Sequence, residues 1–190
     1  MHERRERRLV VPESGELTVV VVSDTHGRPH ARAWERVRER APDVILHGGD
    51  IGDLAVLDAL GELAPEVVAV RGNIDGMDNA LPDSVTLRFE RGGVEVLSVL
   101  LLHVGVDGPR LRAPARRLAV AERCEVVVCG HSHVPVVLRD ASGVAVFNPG
   151  SCGPRRFALP IVFGVMQLRD GALSFEHVLC ETGERWRPGM

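Results

Sequence analysis

At 190 residues, 45% of them hydrophobic, the chain suits one domain spanning 1–190, with a core that covers well over half of the unfolded surface. Its formal net charge of −3 leaves no field of one sign to draw the whole molecule onto nucleic acid or an anionic membrane. All 23 basic residues are arginine, which excludes every mechanism that needs a lysine Schiff base or a P-loop lysine.

The arginine-rich start, Met1 to Arg8, has the charge of a secretory leader, but Pro12, Glu13, Ser14 and Gly15 break the apolar run that should follow it. Residues 1–15 are therefore expected to be a mobile, solvated tail, with Arg4, Arg5, Arg7 and Arg8 in no specific role. β-Branched runs then alternate with helical patterns: strand 17–22, helix 31–40, strand 44–46, helix 54–63 and strand 67–70. That rhythm predicts βαβ units. Val19-Val20-Val21-Val22, and later Val126-Val127-Val128, are apolar on both faces, as in sheets covered on both sides.

Further on, strands are expected over 85–90, 94–102, 134–139, 144–147, 160–168 and 172–179, joined by turns such as Arg91-Gly92-Gly93, Asp140-Ala141-Ser142-Gly143 and Asp170-Gly171. These hairpins predict a second, more antiparallel sheet packed on the first. No stretch reaches the roughly 18 uncharged apolar residues of a membrane span. Cys124, Cys129, Cys152 and Cys180 show neither a CxxC pair nor a disulfide-framework spacing. A reduced, cytoplasmic protein with no membrane partner is expected.

Five apolar strands end in polar clusters: Ser23-Asp24-Thr25-His26, His47-Gly48-Gly49-Asp50, Arg71-Gly72-Asn73, His103, and Gly130-His131-Ser132-His133. In open α/β sheets ligands bind outside the carboxyl ends of the strands, so these clusters should meet in one crevice. Aspartate, asparagine and neutral imidazole without a thiolate suit divalent ions such as manganese, iron or zinc. In Asp24-Thr25-His26 and His131-Ser132-His133 the ligands stand two apart, a spacing that in extended backbone turns both to one side. Seven candidate ligands exceed the three or four of one tetrahedral ion but suit two ions sharing a carboxylate. Asp24 and Asp50 offset about half the charge of two such ions, leaving room for an anionic ester and a hydroxide.

The ordered set Asp24-x-His26, Gly49-Asp50, Gly72-Asn73-Ile74-Asp75, His103 and Gly130-His131-Ser132-His133 resembles the calcineurin-like metallophosphoesterase superfamily. Asn148-Pro149-Gly150-Ser151 further resembles its small bacterial and archaeal phosphodiesterase group, and the likeness runs from about residue 17 to residue 179. The resemblance implies an α/β fold, a four-layer α-β-β-α sandwich of two mixed sheets flanked by helices. It implies that Asp24, His26, Asp50 and His133 hold one ion and that Asp50, Asn73, His103 and His131 hold the other. Manganese is the metal it implies first, with iron, zinc, nickel or magnesium as variants, and a homodimer is implied as a possible assembly. Asn73 and His103 would also steady the phosphate. Two positions depart from the pattern: Ile74 stands where protein phosphatases of the superfamily carry a histidine, and His103-Val104-Gly105 replaces the usual His-Gly.

The expected activity is hydrolysis of a small phosphate ester, a diester before others, by a hydroxide bridging two divalent ions, with Asp50, Asn73 and His103 catalytic. A phosphomonoesterase or nucleotide pyrophosphatase would share this site. A metal-free interaction scaffold uses the same fold but lacks ligands that this chain keeps. Among the other residues, His47 reads as a packing or hydrogen-bonded residue, and His2, His30 and His177 as surface residues. Asp75 reads as an acceptor orienting a ligand imidazole, or as a helix N-cap or turn residue. Arg155 and Arg156 could offer bidentate contacts to phosphate.

Overall fold

The structure is a computed structural model and describes residues 3–77, 80–156 and 158–187; His2 lies outside the described residues. Its frame is two six-stranded sheets. One contains, in order, β1 (Arg4–Val10), β5 (Ser84–Arg91), β6 (Val94–Leu102), β9 (Val126–Val128), β11 (Ala145–Asn148) and β10 (Val136–Arg139). The other contains β14 (Arg185–Trp186), β13 (Ala172–Leu179), β12 (Val162–Arg169), β2 (Leu17–Val22), β3 (Val44–His47) and β4 (Glu66–Ala69). A small hairpin pairs β7 (Val106–Asp107) with β8 (Arg110–Leu111).

Alternation along the apolar strands explains the layers. In β2, Val19 and Val21 face the core between the sheets, while Val20 and Val22 face outward under α1 (Ala33–Arg38) and α2 (Ala55–Gly61). In β6, Val99 and Leu101 face the shared core and Leu100 and Leu102 face α3 (Ala113–Ala121). Every residue of these runs is apolar because both faces of each strand are covered. The result is the expected four-layer α-β-β-α sandwich of mixed sheets.

Three expectations need correction. Hairpin β12–β13 does not join a separate antiparallel sheet; β12 pairs antiparallel with β2, in the same sheet as the parallel β2–β3–β4 set. Residues 1–15 are not a tail throughout, because Arg4–Val10 pair in parallel with β5. Leu9 is buried, and Arg7–Glu66 and Arg8–Glu90 ion pairs of 2.9 and 2.8 Å anchor the charged side chains. An edge strand needs only one apolar face and gains from charge, so a run of arginines hides it. Helix α3, with Pro114 in its first turn, has no counterpart among the expected elements.

Candidate metal centre

All five ligand loops leave the carboxyl ends of parallel strands: β2, β3 and β4 in one sheet, β6 and β9 in the other. They are then tied to one another. Asp24 N–H donates to Gly49 O at 3.0 Å, His26 N–H to Asp50 O at 2.9 Å, and Gly130 N–H to His103 O at 3.0 Å.

The extended backbone expected at the two-apart pairs is not what forms. Asp24, His26, Asp50, His131 and His133 all have φ between 49° and 68°, the left-handed region that costs a side chain on the order of 1 kcal/mol. Aspartate and histidine are among the residues that tolerate it. The inter-loop bonds hold the five there. Two glycines are required by close approach. A Cβ at Gly72 would overlap the Asp50 main chain and carboxylate, and one at Gly130 would overlap the Ser23 hydroxyl.

The side chains form two clusters: Asp24, His26 and His133 in one, Asp50, His103 and His131 in the other, with the donor atoms of each group within 4.8 Å of one another. The rings pair accordingly. His26 stacks on His133 with centroids 5.4 Å apart, and His103 meets His131 edge-on at 5.1 Å. Asp50 faces both clusters, Oδ1 lying 3.3 Å from His103 Nε2 and Oδ2 3.8 Å from His26 Nε2. Asn73 is exposed at the rim and shares a cavity wall with His103.

Several donor atoms are buried and have no hydrogen-bond partner: Asp24 Oδ1, His103 Nε2, and both ring nitrogens of His133. His133 Nε2 faces Asp24 Oδ1 at 3.3 Å. Lone pairs buried face to face are stable only with a cation or proton between them. His103 Nδ1 lies 2.7 Å from Gly48 O; a carbonyl only accepts, so Nδ1 carries a hydrogen and Nε2 is the nitrogen turned to Asp50. Burial lowers His103, but its bonds to Asp50 and Gly48 raise it above the ordinary value, so in the metal-free protein a proton occupies the place between Nε2 and Asp50 that a cation would take. The residues present therefore fit divalent cations.

Electrostatics agrees. Burial pushes the Asp24 carboxyl up to about 6, against the Ser23 hydroxyl that lowers it. Burial also lowers His26 and His131 and brings His133 down to about 4, so these imidazoles are neutral near pH 7 and ligate without first losing a proton. Burial alone would raise Asp50, but the adjacent His103 imidazole and the Ile74 N–H hold it below the usual carboxylate range. The Cys129 and Cys152 thiols, buried near the site, are pushed up to about 12 and supply no thiolate.

Residues around the clusters complete the frame. Asp75 takes the turn role, its carboxylate accepting N–H bonds from Gly72 at 2.8 Å and from Ile51 and Gly52 at 2.9 Å each, which joins the Asp50 and Asn73 loops; among the described residues no hydrogen bond ties it to an imidazole. His47 is fully buried, as expected of a hydrogen-bonded packing residue. His177 is buried rather than on the surface: Nε2 donates to Asn148 O at 2.8 Å, and the ring lies between Phe147 and Trp186. Asn148 in turn gives Nδ2 to Gly130 O at 2.7 Å and Ser132 Oγ at 3.1 Å, bracing the loop of His131 and His133. The Asn148-Pro149-Gly150-Ser151 turn marked this residue; nothing in the sequence marked His177. His30 is half-buried, 3.2 Å from Glu181. Arg156 Nη2 lies 3.3 Å from His26 Nε2, whereas Arg155 lines a separate cavity with His30.

Residues 17–171 match the calcineurin-like phosphoesterase superfamily domain. A probable metallophosphoesterase of Methanocaldococcus jannaschii is 32% identical over 72% of this chain and 69% of its own. The phosphodiesterase YfcE of Escherichia coli is 30% identical over 79% of this chain and 87% of its own. Among solved structures, a predicted phosphoesterase of Streptococcus pneumoniae superposes with TM-score 0.65 at 20% identity, covering 92% of this chain and 95% of that one. Zinc-bound Vps29 of Entamoeba histolytica gives 0.62 at 22%, covering 86% and 99%.

Proposed function

Since the chain belongs to the calcineurin-like phosphoesterase superfamily and is a hydrolase of phosphoester bonds, we propose that it is a phosphodiesterase working with two divalent cations. The observation that carries this is Asp50, whose two carboxylate oxygens face imidazoles of different clusters. One ion would be held by Asp24, His26, Asp50 and His133, the other by Asp50, Asn73, His103 and His131. Manganese is the first choice, with iron, zinc, nickel and magnesium as alternatives. Such a pair supplies Lewis acidity toward the ester oxygens and acidifies a water for direct attack on phosphorus.

The chain's own residues set the geometry for that attack. Asp50 fixes the spacing of the clusters, its Oδ1 locked by the Ile74 N–H at 3.1 Å. Asn73 stands between Gly72 and Ile74, whose amides are bonded to Asp75 and Asp50, so its side chain is presented at the rim beside His103 for the ester phosphate. Arg156 donates to His26 Nε2, a lone pair that ligation would occupy, which would leave the guanidinium available to a phosphate oxygen. The Asp24 and Asp50 carboxylates would offset only about half the charge of two divalent ions, so the loaded centre would stay electropositive, which favours an anionic ester.

The test is to strip the protein of metal, verify this by elemental analysis, restore each metal singly, and assay methyl 4-nitrophenyl phosphate beside 4-nitrophenyl phosphate. Two ions per chain and faster cleavage of the diester are expected. Full activity without metal would sink the proposal.

A further inference from the structure

Beside Asn73 and His103 the surface opens into a groove made of two adjoining cavities, about 300 and 200 Å³, which share Asp83, Leu102 and Val104 in their walls. The near cavity is bounded by Arg71, Gly72, Asn73 and His103 and so begins at the metal centre. The far one runs over Pro114, Ala115 and Leu118 of α3.

Charge decides what the groove accepts. The Arg71 side chain, 9% exposed, donates Nη2 to Asp83 Oδ1 at 2.8 Å, and Asp83 Oδ2 accepts the Glu3 N–H at 2.7 Å. These opposite charges are paired within the wall, so an anionic arm entering the near cavity would have to compete with Asp83 for Arg71, and a cationic arm with Arg71 for Asp83. Arg4 adds a charge only in the far cavity. An apolar chain, by contrast, gains burial against Leu102, Val104, Pro114 and Leu118.

We infer that this groove receives one ester arm of the phosphodiester, and that this arm is uncharged and apolar. The inference rests on the phosphodiesterase reading for the seat of the phosphorus. It makes Leu102, Val104, Pro114 and Leu118 determinants of specificity that touch only the arm.

Calorimetric titration of the manganese-loaded protein with dimethyl, diethyl, dipropyl and dibutyl phosphate tests it, since a symmetrical diester has no choice of arm. Affinity is expected to tighten about threefold per methylene. Leu118→Glu should retain the affinity for dimethyl phosphate and flatten the series. So should Pro114→Glu, which places a carboxylate in an exposed first turn where the helix dipole favours it and so keeps the fold. A flat series in the native protein overturns the inference, as does tighter binding of a diester whose arms end in carboxylate. Turnover is read separately, as 4-nitrophenol released from methyl 4-nitrophenyl phosphate. Turnover with a flat series removes the groove and leaves the phosphodiesterase reading standing; a rising series with no turnover of any diester does the reverse.

Discussion

His47 and Thr25 share a hydrogen bond of 3.0 Å whose proton order is determined by its neighbours. Gly49 N–H donates to His47 Nδ1 at 3.1 Å, so Nε2 carries the hydrogen and gives it to Thr25 Oγ1, which passes its own to Ile51 O at 2.9 Å. One neutral imidazole thus pins the loop of Asp24 and His26 to the loop of Asp50. Burial keeps it neutral, with its pKa pushed down to about 3. His47→Phe preserves the ring volume but leaves the Gly49 amide and the Thr25 hydroxyl short of a partner. It is expected to cost about 2–4 kcal/mol and to weaken metal binding roughly tenfold to a hundredfold. Urea unfolding of the metal-free protein and a metal titration check the two effects separately.

Asp50→Asn removes charge from the one carboxylate that faces both clusters. Elemental analysis after dialysis should find fewer ions per chain than in the native protein, and kcat/KM should fall by about 10² or more. Thr25→Ala touches no candidate ligand atom and should harm catalysis less. Equal activities under saturating manganese would show that Asp50 is not the bridge.

Asp24 couples stability to pH in the metal-free protein. Its folded pKa, about 6, lies above the ordinary 3.8, so its contribution is fully present below pH 3.8 and is lost as pH rises through 6. The difference is worth about 3 kcal/mol. Metal-stripped native protein should therefore lose stability between pH 4 and pH 7 relative to Asp24→Asn, which has no such titration. Urea midpoints of both proteins across that range measure it, and parallel curves would remove Asp24 as the cause.

Ile74 offers its main-chain N–H to Asp50, but its side chain is 52% exposed and has no proton to give. A general acid contributes about 10²–10⁴-fold, so rates should fall steeply as the leaving group becomes more basic. Ile74→His should flatten that slope. The measurement is kcat/KM for aryl phosphodiesters spanning several pKa units, under one metal. A flat dependence in the native enzyme, with chemistry rate-limiting, would show that another group donates the proton.

The convergence of the candidate ligands was legible in the sequence because the capacity to ligate is a property of residue type, and strand-end position follows from where each apolar run stops. Of the seven candidates named from residue type and strand-end position, Asp24, His26, Asp50, His103, His131 and His133 are brought together into two clusters, with Asn73 at the rim. A sheet covered on both faces was legible in Val19 to Val22, apolar at every position, while the count of four layers came from the resemblance to the superfamily. Tertiary structure decided what depends on contacts between distant segments. The left-handed backbone at five candidate ligands is held by bonds from neighbouring loops, not by local preference, so the spacing of Asp24 and His26 suggested the wrong conformation for two side chains that do come together. Strand β1 hides in a run of arginines because its partners, Glu66 and Glu90, lie far along the chain. His177 looks like a surface histidine until the fold sets it between Phe147 and Trp186 against the carbonyl of Asn148, because burial is a property of packing that a single polar residue does not announce.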